Sequence, residues 1–186
     1  MSEQTSQDHD KINAYLDLIQ ERILAPIQKT EVRHYCTATL LLLFAAIDGL
    51  GKLLHSNNQA GVSARISRFL DYMGGDYKVH KKELLNLRHS LVHNAINVAS
   101  FLSQTEMGSD QHLKKTGATG LIYVNTTVMY KDFVEAFKRF HADIKDDPAM
   151  IKRAAGRLEF RDDNPAHDLN IPTPTPPPPV QFIYAK

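Results

Sequence analysis

Several things this chain does without narrow its class before any motif is read. It has a single cysteine, Cys36. No internal disulfide can form, and Cys36, set in an apolar stretch, reads as a buried filler in a reducing compartment. There is no long apolar run either. The longest, Ala38 to Ile47, is closed by Asp48 and Lys52, well short of the roughly 20 residues a bilayer crossing needs. Charge of one sign is not in excess, since the formal net charge is +1; that argues against wrapping nucleic acid by bulk electrostatics. The polar start Met1-Ser2-Glu3-Gln4 is not a secretory leader. The expectation is a cytoplasmic protein with no membrane association.

Three catalytic signatures are also missing. Ser90 lacks the Gly-x-Ser-x-Gly elbow of a serine hydrolase. Gly49-x-Gly51-Lys52 lacks the spacing of a phosphate loop. No Glu follows His89, so His89 and His93 do not form the His-Glu-x-x-His of a zinc protease. Although those two histidines, with His34 and His80, offer imidazoles, no metal or other cofactor is expected.

What is present suits one globular domain with a tail. Of 186 residues, 42% are hydrophobic and 23% charged, an ordinary balance for a packed core. The reading is mainly α: a bundle of four to five helices with a small β-hairpin before the last. Residues 1–9 are expected to be a flexible N-terminus, 10–160 the helical domain, and 161–186 a proline-rich tail. Ile12, Leu16, Ile19, Ile23 and Ile27 mark a first amphipathic helix over about Asp10 to Lys29, with Pro26 a candidate kink. A second runs from about Glu31 to His55, apolar around most of its girth and therefore central. Gly49 and Gly51 weaken it by about 1 kcal/mol each against Ala, which suggests another backbone passing close by. A third covers Val62 to Met73, with Ile66, Phe69, Leu70 and Met73 inward, and Gly74-Gly75 stops it. A fourth runs from about Val79 to Ile96.

Further on, Leu121-Ile122-Tyr123-Val124 reads as a strand, paired with a partner near His112 to Lys115. Asn125 or Thr126 then caps a helix over about Val128 to Lys145, whose face is Tyr130, Phe133, Phe137 and Phe140. Pro172, Pro174 and Pro176 to Pro179 favour extended polyproline. Val180 to Lys186 closes the chain as a short apolar segment, which a semi-rigid spacer could deliver to a partner.

The fourth helix carries the chemistry in Leu87-Arg88-His89-Ser90-Leu91-Val92-His93-Asn94. Arg offers a planar fork of donors to phosphate oxygens and stays charged, while histidine exchanges protons near neutral pH. At about 100° per residue, Leu84, Leu85, Leu87, Leu91 and Val92 flank Arg88, and Asn86, His89, Ser90 and His93 take the opposite arc. On that wheel Arg88 sits at the middle of the apolar stripe and needs a partner, for which Asp48 is the leading candidate. An Arg88–Asp48 pair would equally serve only to tie two helices together. Arg88 and His93 lie about 140° apart on one ideal helix. The basic residues Lys78, His80, Lys81 and Lys82 just before it read as a solvated face, or as a means of steering RNA inward.

Arg88 and His93, separated by four residues of which the first is the polar His89, resemble the Arg-x4-6-His signature of the HEPN superfamily, over roughly residues 10 to 145. These are small helical domains, many of them metal-independent endoribonucleases of toxin–antitoxin and defence systems. The resemblance implies RNA cleavage by 2′-hydroxyl attack, giving a 2′,3′-cyclic phosphate, in a cleft shared by a homodimer. His93 would be general base or acid, Arg88 the phosphate clamp oriented by Asp48, and His89 or Asn94 a positioning group. It also implies an antitoxin or defence-complex partner, which the C-terminal tail could bind. The alternative is a catalytically inactive helical interaction module of similar fold.

Overall fold

The structure, a computed structural model, describes residues 3–29, 36–55, 59–93, 109–115 and 122–158. It is mainly α. Helix α1 (Glu3–Ile19) passes through a π-helical turn (Gln20–Leu24) into α2 (Ala25–Lys29); then come α3 (Cys36–Leu54), α4 (Val62–Met73), α5 (Gly75–Val79), α6 (Lys81–His93), α7 (Thr126–Asp146) and α8 (Pro148–Leu158). Helix α1 begins before the expected Asp10, and Asp8 is already buried. The second, third, fourth and hairpin-following helices of the sequence reading correspond to α3, α4, α5 with α6, and α7. The proline-rich tail, Asn94 to Ile96 and Leu121 lie outside the described residues.

Pro26 acts one turn earlier than a simple kink. In an α-helix its ring would press on the carbonyl four residues back. The preceding turn widens instead, and the Ala25 N–H donates to Gln20 O, five residues back. The inserted residue shifts the buried register, so that Ile12, Leu16 and Ile19 are followed inward by Leu24 and Ile27 while Ile23 turns to the core's edge.

Helix α3 is the central element. Leu40, Leu43, Phe44, Ile47, Leu50 and Leu53 are buried along it. By length and apolarity it alone among the described helices could cross a membrane, although half of that stretch is buried within the fold. Its most extensive neighbour is α4, with α8, α6 and α7 around it. At Gly51 the α4 backbone comes so close that a Cβ there would overlap the carbonyl of Arg65. At Gly49 the nearest neighbour is the Tyr15 side chain, hydroxyl first. Helix α4 matches its expected bounds, and Ile66, Phe69 and Leu70 are buried while Met73 lies at the core's edge. Gly74 (φ 77°) and Gly75 (φ 52°) end it in backbone that favours glycine.

Helix α7 is capped as one of the two expected residues allows: the Asn125 side chain accepts from the Val128 N–H at 3.1 Å. Phe133, Phe137 and Phe140 are buried, with Met129, Ala136 and Ile144. The Phe69 ring lies 5.7 Å from Phe133 and 6.3 Å from Phe140, locking α4 to α7. Helix α8 was not foreseen. Asp147 accepts from the Ala149 and Met150 N–H groups at 2.9 Å, and Pro148 takes the first helical position, where its missing N–H costs nothing.

Among the described residues the small β-hairpin is not supported. The two segments meet in one isolated antiparallel bridge, Lys115 with Ile122. Two further backbone bonds run from Leu113 N–H to Tyr123 O (2.6 Å) and from Tyr123 N–H to Lys114 O (2.9 Å). The ladder stops because Leu113 takes a left-handed φ of 60°. Beyond it, the Asn125 N–H donates to the His112 side chain instead of a strand carbonyl.

Candidate functional site

Helix α6 carries Arg88, His89 and His93, and its burial corrects the helical wheel. The inward residues are Leu84, Leu87 and Leu91, packed toward α3 and α4. Val92 is 47% exposed and Leu85 only partly buried. The buried stripe is therefore centred about 70° from Arg88, on the side where α3 and α4 cover α6. Arg88 is half-buried at the stripe's edge, and the long side chain can lie along apolar surface with its charged head near solvent.

His89 and His93 are both exposed on the outer face. One helical turn apart, their rings approach to 4.4 Å between centroids, tilted by 50°. Leu85, Arg88, Val92 and the two imidazoles thus form a continuous, largely uncovered strip. Among the described residues, no hydrogen bond or ion pair engages the Arg88 guanidinium. Asn94, the remaining expected site residue, lies outside the described residues.

Asp48 does not turn toward Arg88. Its carboxylate accepts a bidentate pair from Arg65, Nε to Oδ1 at 2.7 Å and Nη2 to Oδ2 at 2.8 Å, while Arg65 Nη1 donates to Ala60 O at 2.9 Å. The reason is steric. Gly51 seats Arg65's backbone on α3, and Asp48, one turn earlier on the same face, then lies opposite the Arg65 side chain. Hydrogen bonding to Asp48 holds the Arg65 guanidinium even more firmly protonated than usual. Burial, then the Asp48 charge, raises the Tyr15 hydroxyl. The expected orienting acid of the motif is thus the anchor of α4 on α3.

A second polar assembly escaped the sequence reading. Asn125 N–H donates to His112 Nδ1 at 3.0 Å, His112 Nε2 lies 2.9 Å from the Tyr77 hydroxyl, and Tyr77 donates to Asp132 Oδ2 at 2.8 Å. The amide fixes the tautomer: Nδ1 must be the acceptor, so the ring proton sits on Nε2 and is given to Tyr77. Burial lowers the His112 pKa and, with the Asp132 charge, raises that of Tyr77. The one ring nitrogen able to receive a proton is already occupied. The trio therefore ties α5 and the 109–115 turn to the start of α7 and leaves no free base for chemistry. No pattern of spacing could have found it, because its members come from three separate segments.

A groove of about 730 Å³ lies between the π-helical turn and α7, lined among others by Leu24, Tyr130, Val134, Phe137, Lys131 and Lys138. The motif residues do not line it; their strip is the convex face of one helix. Among the described residues no three His, Cys, Asp or Glu side chains gather around a common point. Compared with family models, curated proteins and solved structures, the chain matches none.

Proposed function

We propose that the strip on α6 is one half of a HEPN-type endoribonuclease site, completed by the same strip of a second copy, in a cytoplasmic toxin or defence effector. The observation that carries this reading is the uncommitted state of the motif: Arg88 has no acidic partner among the described residues, and both imidazoles face solvent. A guanidinium kept only for structure would be expected to pair, as Arg65 does with Asp48. A single convex helix face offers no enclosure, and the angle between Arg88 and His93 separates them on one helix. A two-fold partner would bring Arg88 of one chain toward His93 of the other. Val92 and Leu85 supply apolar surface for that contact.

In this reading His93 exchanges the proton of the ribose 2′-hydroxyl or of the leaving 5′-oxygen. Arg88 holds the phosphate oxygens as negative charge builds on them. His89 packs on His93 and fixes its ring, with Asn94 at the helix end as a further positioning group. Asp48 takes no part. An antitoxin or defence-complex partner on the C-terminal tail belongs to the same proposal.

The test is cleavage of mixed cellular RNA in EDTA by wild type, Arg88→Ala and His93→Ala proteins. The expected result is cleavage by wild type with 2′,3′-cyclic phosphate ends, and a loss of at least ~100-fold in each variant, within the usual range for a general acid–base group. Both variants should keep the wild-type melting temperature within about 2 °C, since surface changes are typically worth under about 0.5 kcal/mol. Equal cleavage by all three proteins would remove the motif from the mechanism. Intact RNA with all three would favour the interaction module, for which the apolar part of the strip is the natural contact.

A further inference from the structure

The two imidazoles that face solvent together have a second chemical capacity. We infer that His89 and His93 form a chelating site for one divalent first-row transition-metal ion, and that its occupancy silences the motif. Both rings stand on the same face of α6, exposed, one helical turn apart. A histidine nitrogen binds zinc at about 2.0–2.1 Å. With the ring's own radius added, two imidazoles on one tetrahedral zinc ion stand about 5.2 Å apart between centroids, and about 4.5 Å apart at the right angle of a square or octahedral ion. The observed separation is 4.4 Å. To chelate one ion the two rings need only turn a nitrogen each toward a common point and, for zinc, part by under about 1 Å, and the helix beneath keeps them within that reach, which two independent surface histidines lack.

The nature of the ligands sets the class of ion. Two neutral nitrogen donors with no third side chain suit copper, nickel, zinc or cobalt, and they are poor ligands for magnesium or calcium, which prefer oxygen. Remaining coordination positions would be filled by water. Arg88 is the neighbouring cation and opposes the ion's charge, which favours moderate affinity and easy exchange. Such a site is a sensor of metal excess more than a store.

The binding stands independently of the nuclease reading; its consequence rests on that reading. An imidazole nitrogen bound to a metal has committed the lone pair with which it would accept a proton. An ion held by His89 and His93 therefore removes the general base or acid from the proposed site without touching the fold.

The experiment is a zinc titration of the full chain, read by the imidazole nitrogen resonances of His89 and His93. Site resolution is essential in a chain with nine histidines. Both resonances should move together with one affinity in the micromolar range. His89→Gln and His93→Gln should each weaken binding at this site at least tenfold, while magnesium should move neither resonance. If the two resonances stay still, or if either single variant binds zinc at the remaining ring as tightly as wild type, the chelate does not exist. Run beside this titration, cleavage of RNA by metal-free wild type separates the two ideas. Cleavage lost in step with the resonance shifts supports both. Coupled shifts in a protein that cuts no RNA keep the metal site and end the nuclease reading. Cleavage that persists with both imidazoles saturated overturns the silencing.

Discussion

Replacing Gly51 by alanine should destabilise this protein by at least ~3 kcal/mol, although helix propensity alone predicts a gain of about 1 kcal/mol. A Cβ at Gly51 would overlap the Arg65 carbonyl, which is backbone within α4 and cannot swing aside. Relief requires α4 to move off α3, and three consequences follow from that one displacement. Ile66, Phe69 and Leu70 lose their seat against α3, the Phe69 contacts to α7 loosen, and the Arg65–Asp48 fork is pulled apart. Overpacking commonly costs about 1–3 kcal/mol by itself, and the lost fork adds to it. For a chain of this size the melting temperature should fall by about 6–12 °C. Gly49→Ala is the internal control. Its added methyl meets first the end of the partly buried Tyr15 side chain and not backbone, so it should cost less than Gly51→Ala, within the about 1–3 kcal/mol usual for overpacking. Paired thermal melts decide the matter: equal melting temperatures for the two variants would show that α4 is not held at Gly51.

The two glycines also show what the sequence made readable and what it could not. Two helix-weakening residues in the most apolar helix announced a close approach, and the approach is there. The identity of the neighbour was not announced. A wheel drawn for one helix cannot say which of two other helices brings the cation to Asp48, and nothing in the wheel of α6 points to Arg65. With Gly51 known to carry Arg65's backbone, the pairing becomes almost unavoidable. The same limit explains the stripe on α6. Periodicity found Leu84, Leu87 and Leu91, but only neighbours covering one side decide that Val92 stays exposed and that Arg88 lies at the edge.

Elements set by local chemistry were the most legible. Helix α4 lies between a turn and a glycine pair, and α7 begins with a side-chain cap, so both follow from residues within a few positions of their ends. Helix α8 carries an equally local signal in Asp147-Pro148, a cap followed by a first-position proline. The π-helical turn was visible only as Pro26, since nothing in an apolar period of three and four reveals where an extra residue will be absorbed. The hairpin failed for a different reason. Its strand residues have the right composition, but among the described residues Leu113 takes a left-handed φ and, beyond it, the His112 side chain accepts the Asn125 N–H in place of a strand carbonyl.

That histidine carries the last prediction, and it behaves opposite to His93. His112→Ala should lower stability by about 3 kcal/mol near neutral pH, because it strands two groups. The Asn125 N–H loses its acceptor at the start of α7, and the Tyr77 hydroxyl loses its donor. Each such loss is worth about 1–3 kcal/mol when buried. The pH dependence identifies the cause. Burial lowers the folded pKa of His112, while the unfolded chain titrates near about 6.5. Above that pH both states hold a neutral ring and the contribution is complete. As pH falls below it, the unfolded state binds the proton first, and stability drains away until the folded ring is itself protonated and releases the Asn125 amide. The difference between wild type and His112→Ala, measured by urea unfolding across this range, should therefore be largest above about pH 7 and shrink in acid. His112→Asn, which can still accept from the amide but cannot titrate, should lose less at neutral pH, and its difference from His112→Ala should not vary with pH. A constant difference at every pH would mean that His112 is a packing residue and not the acceptor on which the start of α7 depends. The histidine proposed as catalytic on α6 and the structural one beneath α7 thus have opposite expected signatures: loss of cleavage at constant stability for His93, and loss of stability with its own pH slope for His112.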